Sequence, residues 1–157
     1  MEVVNDFKTS IIKAFDEIDE NWRDYKGLVV AGTHTPHDTE MMIEKIRIAR
    51  ENGTPALLIC FGYQLGAIQW ARDNGIPNAT SEEFGQGIFV VKKRSQLKVG
   101  LYEGESWWSN YEVVIDWEIP NNWVCVQYHP EYQSSKEKPH KDLIKFLQYA
   151  KEYTMAM

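Results

Sequence analysis

The chain lacks any apolar run approaching the ~20 residues that a membrane-spanning helix requires, and its start, "MEVVNDFKTS", carries no signal-peptide core. A cytoplasmic location is the expectation. Cysteine is scarce: Cys60 and Cys125 are the only two, too few for a disulfide framework, so each is either buried filler or a reactive thiol. Positive charge is not in excess either. Seventeen Lys and Arg stand against 23 Asp and Glu, a formal net charge of −6, which argues against nucleic acid or an anionic membrane as the main partner, since both recruit a basic face. There is no repeat, linker or low-complexity tract, and no GxxxxGK[ST] phosphate loop. What is present is ordinary for a globular chain. Of 157 residues, 43% are hydrophobic and 25% charged, enough for one core and a single domain over residues 1–157.

Hydrophobic spacing predicts the elements. Phe7, Ile11, Phe15, Ile18 and Trp22 recur every three or four residues, an amphipathic helix whose acidic run "FDEIDEN" is its wet face. "KGLVVAG" reads as a short buried strand ending at Gly32, and Thr39 is placed to cap a second helix through Arg50, stopped by Asn52-Gly53. "PALLI" is another continuous apolar run, as in a strand covered on both faces, and a third helix runs from about Tyr63 to Asn74. The order helix, strand, helix, strand, helix implies a parallel sheet with right-handed crossovers. Beyond Phe84, "GIFVV", "LKVGLY", "YEVVIDWEI" and "WVCVQY" read as strands, several of them hairpin-paired, and a last helix follows Pro139.

Cys60 lies where the second buried strand turns into a helix. In an open α/β sheet, sites form beyond the carboxyl ends of the strands. A helix N-terminus there favours thiolate over thiol, the sharp turn exposes the sulfur, and the N–H of Phe61 is left to donate to a developing oxyanion. A nucleophilic cysteine also needs a base. Of the four histidines, His129 ends the strand "WVCVQY" and precedes Pro130 and Glu131, so it too stands at a carboxyl edge, with Glu131 placed to fix its tautomer. His34 and His37 lie in the loop "GTHTPH" with no cysteine or carboxylate cluster to complete a metal site. His140, at the start of the last helix, reads as a surface residue, and Cys125 as core.

"ICFGYQ" taken with "QYHPE" resembles the class I, or triad, glutamine amidotransferases. Within that family "IRIARENGTPALLICFGYQLGAIQWARDNGIPNATSEEF" is similar to the glutaminase domain of the CTP synthases, down to the S-x-E-F segment Ser81 to Phe84. The resemblance implies a three-layer flavodoxin-like α/β fold, its sheet mostly parallel, helices on both faces, and an N-terminal strand shortened to "MEVVN". It implies that Cys60 attacks a glutamine side-chain amide to form a γ-glutamyl thioester, that His129 moves the protons and that Glu131 orients His129. The N–H groups of Gly32 and Phe61 would form the oxyanion hole, and Gln64 and Glu83 would hold the polar end of glutamine. No cofactor or metal is implied.

The sequence also departs from the family. Leu58 stands in place of a glycine two residues before the nucleophile, and β-branched Thr33 in place of the second glycine of the oxyanion strand. The arginine that binds the substrate carboxylate has no counterpart: Asn110 falls at that place, with Lys92, Lys93 and Arg94 as candidate substitutes. No amidoligase domain is present, so CTP synthesis by this chain alone is not expected. Three functions are compatible with this pattern: a free-standing hydrolase of glutamine or a related γ-glutamyl amide, a glutaminase subunit feeding a synthetase partner in trans, or a pseudoenzyme kept as a binding or regulatory module. Trp107, Trp108 and Tyr111 either mark a docking face for such a partner or close the core.

Overall fold

The apolar runs Leu28–Val30 and Ala56–Ile59 are buried along their whole length, and they are the middle of the molecule. The computed structural model describes residues 1–102 and 105–157, with side chains described for 1–94 and 110–157. The elements are β1 (Glu2–Val4), α1 (Thr9–Ile18), β2 (Leu28–Val30), α2 (Thr39–Asn52), β3 (Ala56–Ile59), α3 (Phe61–Asp73), β4 (Ala79–Ser81), β5 (Ile88–Tyr102), β6 (Glu105–Val113), β7 (Trp123–Val126) and α4 (Lys141–Met155). One-turn 3₁₀ segments cover Trp22–Asp24 and Pro130–Gln133.

β1, β2, β3 and β7 form one parallel sheet in that order. Successive side chains of a strand point to opposite faces, so each strand feeds two cores. Leu28, Val30, Ala56, Leu58 and Trp123 pack with α2 and α3 residues such as Ile46, Leu65 and Ile68. Val29, Leu57, Ile59 and Val124 pack with Phe15 of α1 and Phe146 of α4 on the other side. This is the predicted three-layer α/β arrangement, with the short β1 at one edge of the sheet and β7 at the other. β4, β5 and β6 form a second sheet, parallel between β4 and β5 and antiparallel between β5 and β6.

Several boundaries differ from the sequence pattern. α1 stops at Ile18, and Trp22 enters the core from its own 3₁₀ turn, where its indole N–H donates to Asp16 at 2.7 Å. Asp19 likewise accepts from the Tyr25 hydroxyl at 2.6 Å, so two of the acidic residues expected to be merely wet fasten the turn. α3 begins at Phe61, directly after Cys60, not at Tyr63. The strand expected over "YEVVIDWEI" ends at Val113, because the chain there leaves β5 and crosses to β7. His140 is buried rather than exposed. It caps α4 by accepting from the Asp142 N–H at 3.0 Å, a role histidine takes rarely enough that the pattern did not suggest it.

Candidate active site

Three strand ends of the parallel sheet meet at one place. β3 leads into Cys60, whose backbone takes φ 53° and ψ −104°. A non-glycine residue at positive φ is strained, by roughly 1–3 kcal/mol, and persists only where its surroundings force it. Here two neighbours do so. The Cys60 N–H is tied to the Val126 carbonyl of β7 at 2.8 Å, and α3 leaves the elbow pressed against β2. A Cβ on Gly62 would run into the Val30 carbonyl oxygen, so only glycine allows that approach. The elbow points the thiol out of the sheet at the head of a helix, where the first-turn N–H groups, that of Phe61 among them, have no carbonyl within the helix to bond.

β7 ends at Val126, and the backbone then turns through Gln127 and Tyr128 to bring His129 beside Cys60. The imidazole is hydrogen-bonded to Cys60, and its Nδ1 meets Glu131 Oε2 at 3.1 Å. Glu131 is fully enclosed at its side chain, and its Oε1 has no hydrogen-bond partner among the described residues. Burial works against charge on His129, but the hydrogen bonds and charges of Cys60 and Glu131 outweigh it and hold the imidazole up at about 10. Tyr132, which the sequence pattern did not single out, lies flat on the His129 ring with centroids 5.0 Å apart. Its position three residues along a tight turn was the available signal.

Gly32, just past β2, completes the cluster. A Cβ there would lie 3.0 Å from His129 Cε1 and 3.2 Å from the Phe7 ring, so the glycine makes room for His129, while Cys60 Cβ at 3.7 Å is in ordinary contact distance. Thr33 next to it avoids positive φ, and the expected conflict of a branched side chain with this backbone does not arise.

Gln64 sits one turn into α3, buried, with its N–H bonded to the Cys60 carbonyl at 3.2 Å and its side-chain amide donating to the Tyr111 carbonyl at 3.5 Å. Glu83, in the loop after β4, is half-buried, and that burial raises its carboxyl above the ordinary value. Burial and then the charge of Glu83 push up the hydroxyl of Tyr111, whose backbone carbonyl is the one Gln64 reaches. Of the basic candidates, Arg94 pairs with Glu112 at 3.2 Å, while Lys92 and Lys93 are exposed. Tyr111 packs against the core, whereas Trp107 and Trp108 lie outside the described side chains. Among the described residues no group of His, Cys, Asp and Glu is arranged to hold a metal, and no helix is long and apolar enough to cross a membrane. Cys125 faces the core, where burial drives its thiol strongly upward, away from reactivity.

Comparison with known proteins bears on this geometry. The family model for glutamine amidotransferase class-I matches residues 3–118, which include the Cys60 elbow and Gly32 and end ahead of His129. A CTP synthase of Methanoregula boonei is 46% identical over 70 residues, covering 44% of this chain and 13% of its own length. A CTP synthase of Methanoculleus marisnigri is 29% identical over 182 aligned positions, 82% of this chain and 34% of its own. The chain thus spans about a third or less of those two relatives. The solved glutaminase domain of Trypanosoma brucei CTP synthase with bound acivicin superposes with a TM-score of 0.71 over 96% of this chain and 92% of that one; at 17% identity it attests the fold. With the family model spanning well over half of the residues, the chain belongs to the class I glutamine amidotransferase family.

Proposed function

We propose that this protein hydrolyses the side-chain amide of glutamine, or of a related γ-glutamyl compound, and releases ammonia. The observation that carries the proposal is the continuous contact from Cys60, on its strained elbow, to His129 and on to buried Glu131. In the first half-reaction the Cys60 sulfur attacks the amide carbon. The carbonyl oxygen becomes an oxyanion facing the N–H groups of Phe61 and Gly32. Collapse breaks the C–N bond, His129 gives its proton to the nitrogen, and ammonia leaves a γ-glutamyl thioester. His129, now neutral, takes a proton from water as the water attacks the thioester. The second collapse expels sulfur as the thiolate beside the charged imidazole, which restores the starting pair, and frees glutamate. A buried Glu131 on Nδ1 keeps the ring oriented so that the other nitrogen faces sulfur and substrate.

Gln64 and Glu83 would line the amino-acid end of the pocket, with Glu83 receiving the α-ammonium group. An imidazole held in its charged form at neutral pH fits the acid role in the first step. The assembled cluster speaks against the pseudoenzyme reading, since a binding module has no use for a strained elbow. The similarity to CTP synthases supports a refinement, in which a synthetase takes up the ammonia.

The test is covalent labelling by a glutamine-mimicking diazo-ketone, read by intact mass with a Cys60→Ala control and followed by an ammonia assay. One adduct on the native chain, none on the variant, and steady ammonia release from glutamine are expected. Absence of the adduct, while a small alkylating reagent still modifies Cys60, would refute glutamine as the substrate.

A further inference from the structure

The segment that carries Gly32 is held from outside by a residue with no assigned role. Past the ends of β1 and β2 the two chains remain joined: the Ala31 N–H donates to the Val4 carbonyl at 3.0 Å, and the Phe7 N–H to the Gly32 carbonyl at 3.1 Å. Between them Asn5 turns through φ 86° and its side-chain amide donates to the Ala31 carbonyl at 3.0 Å. That turn presents Asp6 to the loop beyond Gly32. Asp6 Oδ2 accepts from the Thr33 hydroxyl at 2.5 Å, and Oδ1 meets His37 Nε2 at 3.0 Å. The Thr33 oxygen in turn accepts the Thr35 N–H at 3.0 Å. The hydroxyl proton of a buried threonine is therefore committed to Asp6, and its lone pair to the loop backbone. One carboxylate ties both ends of the Thr33–His37 loop.

We propose that Asp6 is a positioning residue: through the Thr33 hydroxyl it fixes the segment from Gly32 to Thr35 so that the Gly32 N–H faces the oxygen of the attacked carbonyl at Cys60. The proposal rests on reading Gly32 as an oxyanion donor. Its neighbours leave little slack, for the Phe7 ring and His129 both close on the space a Cβ of residue 32 would take. A loop released from Asp6 would still fold, but its N–H would wander from the place where charge develops. An oxyanion hole depends on donors fixed before the reaction begins. Loss of the clamp is thus a loss of rate more than of substrate binding.

The experiment compares the full chain with Asp6→Asn, Thr33→Val and Thr33→Ser. Backbone hydrogen exchange over residues 31–38 reads the clamp directly and needs no turnover. Inhibition by the γ-aldehyde of glutamate reads the hole, since its adduct with Cys60 places an oxygen there. Asp6→Asn and Thr33→Val are expected to exchange faster in this segment, to lose about tenfold or more in kcat with KM within about twofold, and to bind the aldehyde correspondingly more weakly. Thr33→Ser, which keeps the hydroxyl, should behave as the native chain. Unchanged exchange in Asp6→Asn, or an equal loss in KM and kcat with undiminished aldehyde affinity, would overturn the proposal. A native chain inert to both glutamine and the aldehyde would instead defeat the hydrolase reading and the oxyanion role with it, and the exchange data would show that separately from the clamp.

Discussion

In the parallel sheet every residue of β3 is buried, whereas in the second sheet β5 starts with Ile88 half exposed and carries Lys92 and Lys93 in solvent. The groups assigned to bond making and breaking hang on the first sheet: Gly32 follows β2, Cys60 follows β3 and His129 follows β7. The second sheet and its loops carry Tyr111 and Glu83, the latter proposed to receive the rest of the substrate. The difference comes from tolerance. A reacting atom misplaced by an ångström loses most of its rate, so it is mounted on backbone that a core on both faces holds still. A carboxylate that receives an ammonium group tolerates more movement and can sit on a half-exposed loop.

The sharpest way to test the buried side is Glu131→Gln. It keeps the shape of the side chain but removes the charge that favours the imidazolium. A loss of roughly 10²–10⁴ in kcat is expected, as for other triads deprived of their acid. The pH profile should change as well. His129 is raised in the folded protein from 6.5 to about 10, so its favourable charge is fully present below 6.5 and is lost as the pH climbs through about 10. The alkaline limbs of stability and of kcat/KM, followed by thermal melts and initial rates, should both move to lower pH in the variant. Limbs that stay in place would mean that Glu131 does not support the charge.

The exposed side should respond more mildly. Glu83→Gln removes a charged partner of the α-ammonium, worth about 1.5–3 kcal/mol, or roughly 10- to 100-fold in kcat/KM, carried mainly by KM. Glutaramic acid, which is glutamine without its amino group, sharpens the measurement: the native chain should reject it and the variant should not distinguish it from glutamine. Because burial raises Glu83 above 4.5, the acid limb of kcat/KM should lie above that value and disappear in Glu83→Gln. Equal discrimination by both proteins would detach Glu83 from the substrate.

The same contrast explains why some elements could be read in the sequence. The strands "LVV" and "ALLI" were legible because burial on two faces restricts them to apolar runs. The elbow and the His-Pro-Glu turn were legible because "ICFGYQ" and "QYHPE" resemble motifs of the family. Boundaries at the periphery were not. The end of α1 depends on whether Trp22 stays in register with Phe15, and the end of β6 on where the chain departs for β7. Tertiary placement decides both. His140 as a cap and Tyr132 on the imidazole carry no periodic signal at all. Asp6 was invisible for a further reason: its partner Thr33 lies 27 positions away, joined to it only by the parallel pairing of β1 and β2.

Leu58 was the departure that put the elbow in question, and the structure places the resolution on α3. The Leu58 side chain is wholly buried and points at Gly66, where a Cβ would stand 2.7 Å from Leu58 Cδ1 and 2.8 Å from Trp117 Cη2. The room for a large residue in the strand is thus made by the absence of one in the helix. Gly66→Ala should therefore cost stability although alanine is the better helix former. Overpacking of about 2 kcal/mol, offset by about 1 kcal/mol of helix propensity, leaves a net loss of about 1 kcal/mol in urea unfolding. In a Leu58→Ala background the clash with the leucine is gone while the equally tight approach to the Trp117 ring edge remains, so the same substitution should cost less than in the native chain. Contacting pairs show such coupling in double-mutant cycles. An equal penalty in both backgrounds would assign the tight contact to Trp117 alone, and the elbow would then owe its shape to β3 and β7 without help from Gly66.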